Sequence, residues 1–247
     1  MSVYKNIRFA AWWLLRAPQR KIVGWHTLFT DINGAWLVFA KPKPKDVLWI
    51  CVGNLNREQS ILDKLLPSML ASKQANHLGL SIMDCGSAGF EVFEKELREK
   101  WPHGLVIQSK KQAFSRAEVF NQAIAMAPGN FIMAMDADMS LPADIYELAC
   151  EQVRAGRVWF PICQWQLNEG EKEWRWFTEG TGLFAAYKAD FEKAGTYNID
   201  YTSWGKEDWD LFFRFYEQGI CPVRTKTKDL YHHWHISLKP SNFEKWF

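Results

Sequence analysis

The chain has 247 residues, 48% of them hydrophobic, which indicates a globular protein large enough for one complete α/β domain. Its 30 basic and 28 acidic residues nearly balance, so the charge gives no argument for a nucleic-acid partner. Five cysteines without a CxxC pair favour reduced thiols in a cytoplasmic protein over a disulfide framework.

The first 45 residues combine basic and aromatic side chains, among them Arg8, Trp12 and Trp13. This composition is typical of an amphipathic helix at an anionic membrane surface, and also of an amphipathic segment that packs on the rest of the chain or mediates self-association. We therefore divide the chain into a basic N-terminal segment, 1–45, and a main domain, 46–247. Because no apolar stretch approaches the roughly 20 residues of a membrane span, we expect a cytoplasmic protein, peripheral at the inner face of the cell membrane if this segment binds there.

From Asp46 onward, apolar β-rich runs alternate with helical patterns. The repeated β-α-β order predicts an α/β fold with a mainly parallel sheet and helices on both faces. Ligands of such sheets bind beyond the carboxyl ends of the strands. The four predicted strands cover residues 47–52, 80–83, 105–107 and 131–135.

Polar residues predict where three helices of the main domain begin. Asn56 is expected to cap the helix that follows the first strand. Ser115 and Glu118 form a capping box, which opens a second helix. Ser140 is expected to cap a further helix that ends near Gly156.

Carboxylates and an amide follow the predicted strands at the ligand-binding edge, where Asn54, Asp84, Asp136 and Asp138 are found. Asp136 and Asp138 are two residues apart at a strand end, so both carboxylates point the same way and can hold Mg²⁺ or Mn²⁺ against a diphosphate. Asp84 can accept a hydrogen bond from the N3–H of a uracil ring. The alternative for Asp84 is an Asx-turn that leads into Gly86.

Acidic and aromatic side chains gather at residues 204–210, where a helix is predicted to begin. Glu207 and Asp208 fall in its first turn, where negative charge complements the helix dipole, and this structural role is one interpretation. The other is catalytic, because a carboxylate near an aromatic ring such as Trp204 can act as a general base over a sugar.

Three histidines lie between positions 232 and 235. His232 and His235 have a spacing of three residues, which a turn could converge on one metal ion.

The combined motifs resemble the β4-galactosyltransferase and chondroitin N-acetylgalactosaminyltransferase group of glycosyltransferases, over roughly residues 47–238. The resemblance implies a GT-A-type fold with a single nucleotide-sugar-binding domain. The run G-N-L-N-R resembles the first-strand loop that grips the nucleotide in that group, which implies nucleotide contacts from Gly53, Asn54 and Arg57.

Four further positions match the donor side of this group. The run F-S-R resembles the group's F-[NS]-R and implies that Arg116 meets the diphosphate. The run D-A-D resembles its D-V-D and implies that Asp138 is a direct metal ligand and Asp136 a nucleotide-sugar contact. Gly182 corresponds to the glycine that leads the donor-site strand.

The C-terminal motifs match the acceptor side and the metal site. The run W-G-K-E-D resembles W-G-G-E-D, which implies that Glu207 and Asp208 lie at the acceptor hydroxyl and that Trp204 lies beneath the sugar. His232 and His235 resemble the later metal-ligand positions.

The sequence departs from the group at three places: Trp209 interrupts the acidic run E-D-D-D, Thr181 replaces a usual glycine, and Glu179 occupies the edge of the donor pocket. These departures leave the donor sugar open.

The 14 tryptophans are unusually many for a chain of this length. Because a flat ring with a polar edge suits a sugar face, the excess fits carbohydrate handling. The alternative is that the rings pack in a large core.

The resemblance implies an inverting, metal-dependent transfer of a hexose or N-acetylhexosamine from a UDP-sugar to a glycan or lipid-linked acceptor, as in bacterial polysaccharide biosynthesis. Mn²⁺ or Mg²⁺ would be the cofactor and Asp208 the catalytic base. A sugar nucleotidyltransferase is a second interpretation, although the first-strand loop is poor in the glycines that such enzymes use for phosphate. A non-catalytic carbohydrate-binding protein is a third, although it would not need acids at both the metal and the acceptor positions.

Overall fold

The computed structural model describes residues 46–170, 173–201 and 206–235. The predicted N-terminal segment, 1–45, and Trp204 lie outside these ranges. Within them, a nine-stranded sheet with helices packed on it forms an α/β fold, as predicted. Its strands are β1 (Leu48–Asn54), β2 (Leu78–Asp84), β3 (Gly104–Ser109), β4 (Phe131–Ala134), β5 (Met139–Ser140), β6 (Arg157–Trp165), β7 (Arg175–Trp176), β8 (Phe184–Tyr187) and β9 (Cys221–His232).

The two halves of the sheet differ in strand direction. Strands β1 to β4 run parallel in the order β3-β2-β1-β4, and this half confirms the prediction from the alternating sequence pattern. Strand β8 lies antiparallel between β4 and β6, β9 runs parallel to β6, and β5 pairs antiparallel with β9. The antiparallel strands β5, β7 and β8 have only two, two and four residues, too few to show a hydrophobic period.

Helices cover both faces of the sheet, as predicted. They are α1 (three consecutive segments, α-helical Glu58–Ser60, π-helical Ile61–Leu65 and α-helical Leu66–Leu70), α2 (Phe90–Lys100), α3 (Arg116–Met126), α4 (Ile145–Gln152), α5 (Lys188–Lys193) and α6 (Glu207–Glu217). Leu48, Ile50 and Val52 of β1 pack with residues of α1, α2 and α4, whereas Trp49 and Cys51 pack with residues of α3, α5 and α6. Among the described residues, none of these helices has the length and apolar character required to cross a membrane.

The N-cap predicted at Ser115, one half of the capping box, is confirmed, and the cap predicted at Ser140 is wrong. Ser115 stands at the N-cap of α3, and its hydroxyl accepts a hydrogen bond from the backbone N–H of Glu118 at 3.5 Å. Ser140 belongs to β5, where it pairs with Tyr231 of β9, and α4 begins five residues later. The cross-strand partner on β9 is distant in sequence, so the local pattern could not reveal it.

The cap predicted at Asn56 is also wrong. Asn56 has a φ of 53°, in the left-handed region, and Arg57 occupies the N-cap position of α1. The backbone N–H of Asn56 donates instead to Ser87 Oγ at 2.8 Å. The amide oxygen of Asn54 accepts from the N–H of Arg57 at 3.1 Å. Hydrogen bonds to Ser87 and Asn54 thus hold the loop between β1 and α1.

Trp49 fills a slot between three glycines, which supports the packing interpretation for part of the tryptophan excess. A Cβ added at Gly79, Gly104 or Gly129 would lie 2.7, 2.9 or 2.6 Å from the Trp49 ring, closer than real Cβ contacts. The indole ring therefore fits here only because all three positions lack a side chain. Two other tryptophans are also buried in the core, Trp101 and Trp159.

Candidate active site

The carboxyl ends of β1 and β2 meet at the edge where the sequence predicts the donor nucleotide. Asn54 and Asp84 are the last residues of these strands and stand in register. Asn54 Nδ2 donates to Asp84 Oδ1 at 2.8 Å, and both side chains are fully buried. The structure thus brings together the polar side chains that end the first two strands.

The carboxylate of Asp84 organises the loop after β2. Its oxygens accept hydrogen bonds from five donors: Asn54 Nδ2, the N–H groups of Gly86 and Ser87, and the hydroxyls of Ser87 and Ser109. Burial raises the pKa of Asp84, but the bonds from Ser109, Ser87 and Gly86 outweigh burial, and the pKa lies below its ordinary value. Because its acceptor capacity is taken up within the protein, the geometry favours the Asx-turn interpretation over a direct contact with uracil.

The other two nucleotide-contact predictions in this loop have different surroundings. A Cβ at Gly53 would lie 2.5 Å from Val119 Cγ1, so this glycine lets α3 pack closely on β1. Arg57 contacts a residue far away in the sequence: its Nη2 lies 2.8 Å from Nδ1 of His235. Arg57 therefore connects the first-strand loop to the histidine cluster.

Asp138, His232 and His235 form one cluster, as the sequence predicted. One ligand atom from each lies within 4.8 Å of the others. Nε2 of His232 is 3.3 Å from Asp138 Oδ1, and Nε2 of His235 is 2.9 Å from Asp138 Oδ2. The pairing of β5 with β9 causes this convergence, because it places Met139 opposite His232 and lets the N–H of His233 donate to the carbonyl of Asp138 at 3.0 Å.

The donor set of this cluster fits a divalent metal ion. Oδ1 of Asp138 and Nδ1 of His232 are buried and have no hydrogen-bond partner among the described residues. Burial raises the pKa of Asp138, but the hydrogen bond from His235 and the proximity of both imidazoles outweigh it and lower the pKa. One carboxylate and two imidazoles are ligands that first-row transition metals accept, and the carboxylate also suits Mg²⁺.

Arg116 connects the strand-end carboxylates to the start of α6. Its Nε and Nη2 each lie 3.3 Å from Asp136 Oδ1, and its Nη1 lies 3.3 Å from Glu207 Oε1. Nη2 also donates to the carbonyl of Gly182 at 2.8 Å. The guanidinium is buried and its carbon lies 4.5 Å from the ring centroid of Phe120. Its N–H groups thus face protein acceptors, which makes Arg116 a link between the two sides of the site.

The charge of Arg116 is maintained by its neighbours. Burial alone lowers the pKa of the guanidinium, but Asp136, Tyr197, Glu207 and nearby Asp208 together raise it above its ordinary value. A buried cation with several carboxylates around it stays ionised and holds those carboxylates in place.

Glu207 and Asp208 start α6 side by side but have different environments. Glu207 is buried, and its Oε2 has no hydrogen-bond partner within the described ranges. Burial, and secondarily the charge of Asp208, raise the pKa of Glu207, although Arg116 opposes the shift. Oδ2 of Asp208 accepts from Thr181 Oγ1 at 3.1 Å, and its Oδ1 accepts from the backbone N–H of Trp209 at 2.9 Å.

The structure therefore assembles most of the residues proposed from the sequence. Asp136, Arg116, Gly182 and Glu207 are joined by direct contacts, and Asp138 lies with the two histidines. The contact between Thr181 and Asp208 was missed, although the replacement of a usual glycine by Thr181 was a signal. Trp204 is outside the described residues, so its place beneath the acceptor sugar stays a prediction.

Parts of the chain match known glycosyltransferases. Residues 168–236 match the family model described as the N-terminal domain of galactosyltransferase. The N-acetyl-beta-glucosaminyl-glycoprotein 4-beta-N-acetylgalactosaminyltransferase 1 of Mus musculus is 29% identical over 114 residues, which cover 44% of this chain and 11% of the relative. Chondroitin sulfate N-acetylgalactosaminyltransferase 1 of Homo sapiens is 36% identical over 75 residues, 30% of this chain and 14% of that protein.

Solved structures share the fold at low sequence identity. S. aureus TarS in complex with UDP-GlcNAc has a TM-score of 0.62 and 15% identity, and the match covers 77% of this chain and 59% of that one. The mannosyltransferase PcManGT from Pyrobaculum calidifontis, in complex with GDP-Man and Mn²⁺, has a TM-score of 0.59 and 16% identity, covering 80% and 60%.

The described chain has the GT-A fold, and residues 168–236 match a glycosyltransferase family. The predicted resemblance and fold class are thereby confirmed. The matched segments correspond to only 11% and 14% of the lengths of these two curated relatives.

Proposed function

We propose that the glycosyltransferase domain transfers a hexose or N-acetylhexosamine from a UDP-sugar to a carbohydrate acceptor, with inversion at the anomeric carbon. The observation that carries this proposal is the double contact of Arg116 with Asp136 and Glu207. Asp136 is two residues from Asp138 of the histidine cluster, and Glu207 adjoins Asp208. One buried cation thus joins a donor side, with its metal-binding groups, to an acceptor side, with its candidate base.

On the donor side, Asp138, His232 and His235 would hold Mn²⁺ or Mg²⁺, and the imidazole ligands favour Mn²⁺. When bound, such an ion stabilises the negative charge of a departing diphosphate. A nucleotide-sugar donor is supported by the complexes of two proteins of similar fold, one with UDP-GlcNAc and one with GDP-Man and Mn²⁺. Arg57, which lies beside His235, would contact the same diphosphate.

On the acceptor side, Asp208 is the proposed general base. It takes the proton of an acceptor hydroxyl while that oxygen bonds to the anomeric carbon and the bond from this carbon to the UDP oxygen breaks. A positioned base typically contributes about 10²–10⁴-fold in rate. Glu207 would orient the acceptor, and Trp204 would lie beneath its ring. A single in-line displacement converts an α-linked UDP-sugar into a β-linked product.

We further propose a glycan or a lipid-linked saccharide as the acceptor, as in polysaccharide biosynthesis. A lipid-linked acceptor would explain the basic aromatic N-terminal segment, which would hold a cytoplasmic enzyme at an anionic membrane; each Lys or Arg near such a surface contributes about 1 kcal/mol. Flotation of the full chain with anionic and neutral liposomes tests this. Equal binding to both, or to neither, would argue against the membrane role.

The proposed reaction is tested with Asp208→Asn, which keeps the size of the side chain and removes its basicity. UDP release is measured with Mn²⁺ across a panel of UDP-sugars and mixed glycan acceptors, and the product configuration is determined by NMR. Asp208→Asn should lose most of kcat and still bind UDP. The matched control is Asp63→Asn on the exposed side of α1, which should behave as wild type. Wild-type turnover by Asp208→Asn, or an α-linked product, would refute the mechanism.

A further inference from the structure

The segment before β8 is held between two arginines. The carbonyl of Gly180 accepts from Arg224 Nη2 at 2.5 Å, and the carbonyl of Gly182 accepts from Arg116 Nη2 at 2.8 Å. A Cβ at Gly180 would lie 2.2 Å from the ring of Phe177, so this ring also packs directly on the segment. The backbone of the residue between the two glycines is therefore fixed on both sides.

That residue is Thr181, which is 1% exposed. Its Oγ1 lies 3.1 Å from Asp208 Oδ2. Since an ionised carboxylate can only accept, the threonine hydroxyl must donate this hydrogen bond. The backbone N–H of Trp209 donates to the other oxygen, Oδ1. Both oxygens of Asp208 are thus restrained, one by its own helix and one by the rigid segment.

We propose that Thr181 is a positioning residue for Asp208, and this inference rests on the proposed function of Asp208 as the base. A general base is effective only when a free lone pair lies within hydrogen-bond reach of the acceptor proton in the reacting geometry. The donor of the Trp209 bond lies on the same helix as Asp208, so this bond does not fix the carboxylate relative to other parts of the site. The Thr181 bond comes from a different element and fixes the plane of the carboxylate relative to Arg116 and the donor side.

Two substitutions separate the hydroxyl from the shape of the side chain. Thr181→Val keeps the branched shape and removes the donor, whereas Thr181→Ser keeps the donor and removes a methyl group. We expect Thr181→Val to lower kcat about 10- to 100-fold, the loss expected for one hydrogen bond to a charged group. The KM for the UDP-sugar should stay within about twofold, because Thr181 does not contact the metal cluster. Thr181→Ser should restore most of kcat.

The matched control is Thr227→Val, which removes another buried threonine hydroxyl, on β9. Kinetics of UDP release are measured for wild type and all variants, with thermal unfolding and calorimetric UDP binding to confirm that each is folded. Wild-type kcat in Thr181→Val, or equal losses of kcat in the Val and Ser variants, would overturn the positioning role. If Asp208→Asn is inactive in the same experiment, the proposed function still holds. Wild-type activity of Asp208→Asn, or a native chain that releases no UDP with any acceptor, would overturn both.

Discussion

Nη2 of Arg57 lies 2.8 Å from Nδ1 of His235, although the two residues are 178 positions apart in the chain. Because a guanidinium can only donate, Nδ1 must accept, and the proton of the neutral ring is on Nε2, next to Asp138. A metal ion bound at Nε2 would displace this proton, and a neutral ring would then carry its proton on Nδ1. The contact with Arg57 and a metal at Nε2 therefore compete.

The first prediction follows from this competition. Arg57→Met should bind Mn²⁺ severalfold more tightly than wild type when no nucleotide is present, because the ring is no longer held in the unsuitable tautomer. UDP should bind more weakly in the presence of Mn²⁺, because a cation beside the diphosphate is lost. Calorimetric titrations with Mn²⁺ alone and with UDP measure both effects. Arg98→Met, an exposed arginine on α2, is the control, and weaker Mn²⁺ binding by Arg57→Met would contradict the competition.

The second prediction concerns the metal cluster itself. Asp138→Asn removes the only carboxylate of the three-residue cluster and should weaken Mn²⁺-dependent UDP binding by roughly tenfold or more, a loss at least as large as that of a residue supporting a metal ligand. Circular dichroism should remain as in wild type, because no hydrogen bond of the sheet passes through this side chain. Unchanged UDP affinity in the presence of Mn²⁺ would exclude Asp138 as a ligand.

The third prediction concerns the buried link. Arg116→Met keeps the length of the side chain and removes the partner of Glu207 and Asp136. Breaking a buried pair leaves an uncompensated charge, so the free energy of unfolding should fall by about 3–5 kcal/mol in urea titrations. The exposed variant Arg98→Met should change it by less than about 1 kcal/mol. A similar, small effect of both substitutions would show that Arg116 does not stabilise the fold.

The fourth prediction concerns pH. Burial and the neighbouring Asp208 raise the pKa of Glu207 above 4.5. The folded state then binds the proton more tightly than the unfolded chain, so this contribution to stability is present below pH 4.5 and is lost as the pH rises through the folded pKa. Glu207→Gln cannot ionise.

We therefore expect the unfolding free energy of Glu207→Gln to improve relative to wild type as the pH increases from about 4 to 7. Urea denaturation at a series of pH values measures the difference. A difference that stays constant across this range would mean that Glu207 does not titrate with folding.

The sequence predicted the ligand-binding edge of the sheet because apolar β-rich runs and the polar residues that end them are local properties, and the neighbouring positions of Asn54 and Asp84 follow from them. Asp136 and Asp138 instead lie beyond the end of β4, where period-two geometry does not apply: Asp136 contacts Arg116, and Asp138 lies with the histidines. The cap predicted at Asn56 is wrong because the loop conformation depends on Ser87, which lies 31 residues away and is not part of the local pattern. The hydrogen bond from Thr181 to Asp208 likewise depends on tertiary packing.

The convergence of the histidines on Asp138 was expected from the resemblance, but its cause was not. The spacing of His232 and His235 suggested a turn, whereas the structure uses the pairing of β5 with β9. Strand β5 has two residues, and its existence depends on a partner more than 90 positions later in the chain. No pattern within so short a segment could have revealed it.

The slot around Trp49 makes four distant positions depend on one another. A larger residue at Gly79, Gly104 or Gly129 meets the indole ring, and a smaller residue at position 49 leaves a void bounded by three bare backbones. Single changes at any of the four should be costly, whereas paired changes such as Trp49→Leu with Gly79→Val should recover part of the loss. In relatives, these four positions should therefore change together. Their covariation would identify chains that share this packing of a tryptophan against the sheet, even where the catalytic motifs have diverged.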